Sequence, residues 1–231
     1  MSMKEGRQAA IIDYRGSWNI GAYGLSTDKF TIFGSGFRAR IIEDAKAILN
    51  VPLIVQNIMD EPIIGITTIA NSYGILVPPQ TLDSEIKILE KELNIPVARL
   101  EFKTYDNALG NIILANDRAA LLHIEIAEKN RSAINIIEDV LNVEVATYPF
   151  SFPIIGTAVV ANNKGALAHP SMNEEELEFI KDTMRVRVNT GTVNTGSPYI
   201  RSGLIANSFG FLAGLRTSGL ELQRAYEILI A

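Results

Sequence analysis

A block of about 45 residues recurs along this chain, and that period restricts the fold more than any other property of the sequence. Its clearest copy is Gly65-Ile-Thr-Thr-Ile-Ala-Asn71-Ser-Tyr-Gly74-Ile-Leu-Val-Pro78, an apolar strand, a tight turn and a second apolar strand. Asn71 followed three residues later by Gly74 fits a type I turn closed by a left-handed glycine. Copies lie at Gly110 to His123, Gly156 to His169 and Leu204 to Gly214, with a degraded one at Gly21 to Gly34. The anchors Thr27, Asn71, Asn116, Asn162 and Asn207 are 44, 45, 46 and 45 residues apart. Ala119 and Phe30 stand where two copies should have the glycine; left-handed backbone there would cost about 1 to 2 kcal/mol each.

Each hairpin is followed by an amphipathic helix pattern. The stripes are Ile42, Ala45, Leu49; Ile86, Leu89, Leu93; Ile134, Ile137, Leu141; Leu177, Ile180, Met184; and Leu222, Ala225, Leu229. Ser171 with Glu174 and Ser218 with Glu221 match capping boxes, and Glu174, Glu175 and Glu176 suit the positive end of a helix. Asn50, Asn94 and Asn142 follow the last stripe residue, where a left-handed cap is expected, and alternating strands follow. The unit is therefore strand, turn, strand, helix, strand. The fifth unit ends at Ala231 with no final strand, while Ala9 to Ile12 is a strand without a partner. Pairing the two closes a ring and leaves no open sheet edge. Residues 1 to 231 then form one domain, with repeats at about 16–58, 59–103, 104–149, 150–194 and 195–231, closed by 9–15. Residues 1 to 8 are expected to fray.

Composition removes several functions. No cysteine is present, so disulfides, thiolate metal sites and cysteine nucleophiles are excluded. No apolar run approaches a membrane span, and no signal peptide precedes the repeats; a cytoplasmic protein is expected. A formal net charge of −5 requires any RNA contact to use a local basic patch, for which Arg185, Arg187 and Arg201 are candidates.

Several motifs then converge. They are Gly191-Thr-Val-Asn194, Gly196-Ser197, Gly203-Leu-Ile-Ala-Asn207 and Thr217 to Leu222 in the last unit. Ala108-Leu-Gly-Asn111, Leu114-Ala-Asn116-Asp117 and Ala161-Asn-Asn-Lys-Gly165 with His169-Pro170 join them. With these motifs the chain, from about residue 9 onward, resembles the translation initiation factor 6 family, the ribosome anti-association factors of archaea and eukaryotes. The resemblance implies a pentein fold, an α/β five-bladed ring of ββαβ repeats. Departures cluster in the N-terminal half, at Ile32 to Gly36, at Asn57 to Pro62 and after His123.

Few residues are candidates for chemistry. Pentein enzymes that modify guanidines use a cysteine that is missing here. His123 and His169 sit at equivalent positions of different repeats, which favours strand ends over a shared metal. Gly34-Ser-Gly36 lacks the rest of a phosphate loop. The loops Arg15 to Gly21, Ile58 to Gly65, Tyr105 to Gly110, Ser151 to Gly156 and Asn194 to Gly203 share one place in the repeat, so a ring gathers them at one end. They carry Trp18, Tyr105, Phe152, Tyr199 and Arg201, residue types enriched at binding hot spots.

The resemblance implies that this end meets the intersubunit face of the large (50S) ribosomal subunit, on a ribosomal protein beside rRNA, and bars the small subunit. A role in large-subunit biogenesis accompanies it. The residues carried over are Asn111, Ile66, Ala158, Tyr199, Arg201 and Asn194, with no catalytic residue, cofactor or metal, no small-molecule substrate, and a monomer expected. The alternative is a pentein small-molecule hydrolase or transferase without a cysteine, for which Asp13, Asp60, Asp106 and His169 are the candidates.

Overall fold

A computed structural model describes residues 7–103 and 108–231. The described strands form five three-stranded sheets, each an antiparallel hairpin with a third strand parallel to its second member. In the fourth blade these strands are Val159–Ala161, Gly165–Ala168 and Arg187–Thr190, with the helix Glu174–Met184 crossing between the last two. The fifth blade pairs Leu204–Ala206 with Phe211–Gly214 and takes its third strand, Ala9–Ile12, from the other end of the chain. That strand runs parallel, with Ala9 opposite Phe211 and Ile12 opposite Gly214. The closure expected from the orphan strand is therefore present. It starts earlier than expected: the Phe211 N–H donates to the Gln8 carbonyl at 2.9 Å, and Tyr226 donates to the Gln8 side chain at 2.9 Å.

The apolar stripes explain why the units stack in a ring. Five buried clusters each join one blade to the next: Ile69 and Leu76 of the second pack with Leu122 and Ile137 of the third, and Ile205 and Leu212 of the fifth pack with Phe33 and Ile41 of the first. Every central strand is buried on both faces, so each sheet is completed by its neighbour. Helices end where the sequence predicts, with Asn50, Asn94 and Asn142 left-handed at φ near 51° and Arg185 in the same role at 54°. Among the described residues no helix is long and apolar enough to cross a membrane.

Three local expectations are corrected. First, each unit opens with a helical turn and not with a strand: Ile20–Ala22, Ile64–Thr67, Leu109–Ile112, Ile155–Ala158 and Ile200–Gly203. Second, the helix Glu174–Met184 is capped by Asn173, not Ser171, and the reciprocal partner is Glu176. The Ser218–Glu221 box is as expected. Third, the turn glycines are not left-handed; among the described residues, positive φ at glycine is confined to Gly16, Gly36 and Gly196. Gly74, Gly165 and Gly210 are small because a Cβ there would strike a neighbouring helix. It would lie 2.1 Å from the Val140 carbonyl oxygen, 1.8 Å from that of Ile228 and 2.4 Å from that of Ile48. Ala119 and Phe30 therefore carry no penalty of handedness.

The asparagine anchors form a hydrogen-bonded circuit at this turn end. Asn71 donates to the Asn116 carbonyl at 3.0 Å, Asn116 to Asn162 at 3.2 Å, Asn162 to Asn207 at 2.8 Å and Asn207 to Thr27 at 3.1 Å. Each amide also reaches the last turn of the next blade's helix, at Leu141, Met184, Leu229 and Leu49. Each Asn oxygen accepts two N–H groups of its own turn, as at Tyr73 and Gly74. A turn residue thus supplies the orphan acceptors of a neighbouring helix with donors.

Candidate binding site at the loop end of the ring

The opposite end is built from the five helical turns. Their second residues, six before each anchor, are Gly21, Gly65, Gly110, Gly156 and Arg201. Four are glycines because the turns touch backbone to backbone around the axis. A Cβ on Gly65 would lie 1.8 Å from the Gly21 oxygen, on Gly110 2.2 Å from the Gly65 oxygen, and on Gly156 2.2 Å from the Gly110 oxygen. Gly21 closes the series against the Arg201 oxygen, at 1.7 Å. Only the fifth blade places a side chain at this position. Arg201 projects it across the ring, and its Nε donates to the Gly65 carbonyl at 3.1 Å.

The next residues, Ala22, Ile66, Asn111, Thr157 and Ser202, line a depression of about 630 Å³ on the axis. Trp18, Asn19, Ile154, Ser197 and Tyr199 form its remaining wall, and Arg201 lies between it and a narrower inner space bounded by Gly24, Ile69, Ala115 and Val160. Burial lowers the pKa of Arg201 to about 10, and no carboxylate among the described residues pairs with it. Tyr199 stands at the rim, 57% exposed.

Two of the loops at this end, in the second and fifth blades, are held by carboxylates from their own blades. Met59 and Asp60, both at positive φ, donate their N–H groups to Glu85 at 2.9 Å each. In the fifth blade Thr195 and Gly196 donate to Glu221 at 3.1 and 2.9 Å, as do the Ser218 N–H at 2.7 Å and the Thr192 hydroxyl at 2.8 Å. Burial by itself would raise the Glu221 pKa. The bonds from Ser218, Gly196 and Thr192 outweigh that and hold it at about 2. Asn194, left-handed at φ 50°, joins this frame: its amide donates to the Trp18 carbonyl at 3.1 Å and its oxygen accepts from Thr217 at 3.3 Å. Arg216 stacks over the Trp18 ring at 3.4 Å from its centroid.

The sequence-derived positions divide accordingly. Ile66, Asn111, Tyr199 and Arg201 line the same mouth. Ala158 and Asn194 are buried and present no side chain there. The ring equivalent of Asn111 in the fourth blade is Thr157, one residue before Ala158, and in the fifth it is Ser202 and not Tyr199. Counting back from the anchors would have given both. Phe152 packs against His169 at 4.8 Å between centroids, and His169 faces Tyr199 at 6.0 Å. Tyr105 and Asp106 lie outside the described residues. Arg185 and Arg187 belong to the turn end, where Arg187 binds the carbonyls of Ile228 and Ala231.

Of the groups named for hydrolysis, those among the described residues are engaged elsewhere. Asp13 pairs with Arg38 and accepts the Gly16 N–H at 2.7 Å, while Asp60 serves as a turn residue. His169 accepts the Ser171 N–H at 3.1 Å, and His123 bonds the Phe150 carbonyl at 3.0 Å while capping the helix Ile124–Lys129. No group of three His, Asp or Glu able to hold a metal occurs among the described residues.

Comparison with known proteins agrees with this architecture. The eIF-6 family model matches residues 9–228. Translation initiation factor 6 of Thermococcus onnurineus is 35% identical over 222 residues, 94% of this chain and 96% of the relative. That of Pyrococcus abyssi is 36% identical with the same coverage, and that of Haloquadratum walsbyi 34% identical over 217 residues, 94% of each chain. Among solved structures, an agmatine deiminase of C. jejuni shares 9% identity at a TM-score of 0.43, covering 70% of this chain and 59% of its own. A dimethylarginine dimethylaminohydrolase adduct shares 14% identity at a TM-score of 0.45, covering 88% and 91%. With its five-bladed pentein ring and a family match across nearly its whole length, this chain belongs to the eIF-6 family of translation factors.

Proposed function

We propose that this chain binds the intersubunit face of the large ribosomal subunit through the loop end of its ring and blocks the small subunit by occupying the joining surface. A ribosomal protein with neighbouring rRNA is the partner, and the same docking serves large-subunit biogenesis. No chemistry is required, because two bodies that fill one surface exclude each other; the factor acts as a monomer in the cytoplasm.

The observation that supports this reading most is the contrast between the two ends. At the turn end the anchors repeat nearly unchanged and are consumed by the Asn circuit. At the loop end the copies diverge, yet the loops of the second and fifth blades are fixed by Glu85 and Glu221. Fixed loops bearing Tyr199 and Trp18 beside a depression lose little entropy on docking. Ile66, Asn111, Tyr199 and Arg201 are the contact residues of this reading, with Ala158 and Asn194 acting from beneath.

Cosedimentation with purified large subunits tests it. Tyr199→Ala combined with Asn111→Ala should weaken binding by about tenfold or more, the cost of roughly 1.4 kcal/mol or more at a hot spot. Wild-type binding by this folded double variant would place the docking face elsewhere. Binding by neither protein would remove the ribosomal reading.

A further inference from the structure

We propose that the axial mouth is a binding site for a small molecule carrying an oxyanion, a carboxylate or a phosphate, held by the Arg201 guanidinium together with Asn111 and Ser197. The inference concerns the free chain and goes beyond docking.

Position carries the first part of the argument. The ring needs no side chain at the second residue of its helical turns, and four blades use glycine there. Arg201 is the exception, and its side chain enters the axial space at the loop end, where the blades converge. A guanidinium has five N–H donors in a planar fork. Only the Nε–H is used, toward Gly65, and the terminal nitrogens have no acceptor among the described residues. The two terminal nitrogens match the spacing of two oxygens of one carboxylate or phosphate.

The surroundings supply the rest. The side chains of Asn111 and Ser197 line the same depression and make no hydrogen bond among the described residues, whereas Thr157 and Ser202 spend their hydroxyls on the carbonyls of Ile154 and Tyr199. Two unspent polar side chains therefore share one depression with one cation. Trp18, Ile66 and Ile154 make the walls apolar, which strengthens a charge-assisted bond at the floor and suits an apolar ligand body. Burial already depresses the pKa of Arg201, so a negative partner would recover solvation that the fold has removed. A volume of about 630 Å³ is in the range of small-ligand sites.

The test is a ¹H–¹⁵N NMR titration of the full chain with inorganic phosphate and, separately, with acetate, each against sodium chloride at equal ionic strength. The expected result is saturable shifts at the amides of Gly65, Asn111 and Ser202 and at the Arg201 Nε–H. Saturation by phosphate alone assigns a phosphate, by acetate alone a carboxylate, and by both a site for either oxyanion. Arg201→Gln should weaken binding by about tenfold or more, while Arg131→Gln, on an exposed helix start, should not. Thr157→Glu leaves Arg201 in place but adds a competing carboxylate at the rim, and it should abolish the same shifts. No saturation by either anion below about 10 mM, or equal binding by both Arg201→Gln and Thr157→Glu, overturns the proposal.

Discussion

Asn207 donates its side-chain amide to the carbonyl of Thr27, 3.1 Å away, and Thr27 has no amide with which to continue toward Asn71. The Thr27 hydroxyl copies only half of the asparagine's work, accepting the N–H groups of Lys29 and Phe30 at 3.2 and 3.1 Å. The circuit is therefore open at the seam between the first and second blades.

Closing that seam should stabilise the ring. Thr27→Asn is expected to add about 0.5 to 1.5 kcal/mol, one further net hydrogen bond. Asn162→Ala is expected to cost about 2 to 4 kcal/mol, because it strips donors from Asn207 and Leu229 and an acceptor from its own buried turn. Urea denaturation of both variants measures this; a neutral Asn162→Ala would reduce the circuit to an incidental contact.

Gly165 gives a test of close approach against handedness. Its added Cβ would sit 1.8 Å from the Ile228 oxygen, so Gly165→Ala should destabilise by about 2 to 4 kcal/mol. Gly165→Asn, which a left-handed turn would accept, should be worse than alanine. If thermal melts rank asparagine above alanine, the helix contact is not the reason for the glycine.

The Glu221 clamp predicts an acid-sensitive loop end. Its folded pKa of about 2 lies below the ordinary 4.5, so its stabilisation is complete above pH 4.5 and fades as pH falls toward 2. Glu221→Gln should cost about 1 to 3 kcal/mol at pH 7 and show a shallower loss of stability across that acid window. Parallel acid titrations of wild type and variant would contradict the clamp.

His169 works in a different window. Burial lowers its pKa from 6.5, with the nearby Glu176 opposing the shift. The fold thus favours the neutral ring, whose Nδ1 accepts from Ser171, and stability is full above pH 6.5 and declines below it. Ring-proton NMR should place the midpoint below 6.5, and His169→Gln should flatten the decline.

The ring itself was legible because its signals are periodic: the anchor spacing, the helix stripes and the strand missing from the fifth unit all demand closure. The helical turns were hidden, since Ile64-Gly65-Ile66-Thr67 is four residues of β-branched and glycine type that propensity assigns to a strand. Tertiary contact overrides it: the glycines must touch across the axis, and a strand would not bring them there. The same contact decides the turn glycines, whose purpose is visible only once the neighbouring helix is in place. At the site, aromatic and Arg content pointed to the loop end of the ring, and four of six named residues line its mouth. Aligning the fifth unit on Gly203 concealed that Arg201 occupies the glycine position, although the six-residue offset from Asn207 was in the sequence throughout.

The pairing of Ala9 with Phe211 joins strands 202 positions apart in the chain. During synthesis the N-terminal strand has no sheet to enter until the fifth hairpin has left the ribosome. At about 5 to 20 residues per second, an interval of roughly 10 to 40 seconds separates the two. Throughout it, the second to fourth blades can stack in order while both outer blades wait with unsatisfied faces. A chain terminated a few dozen residues early would thus be an open coil of blades, unable to lock, and a target for proteolysis.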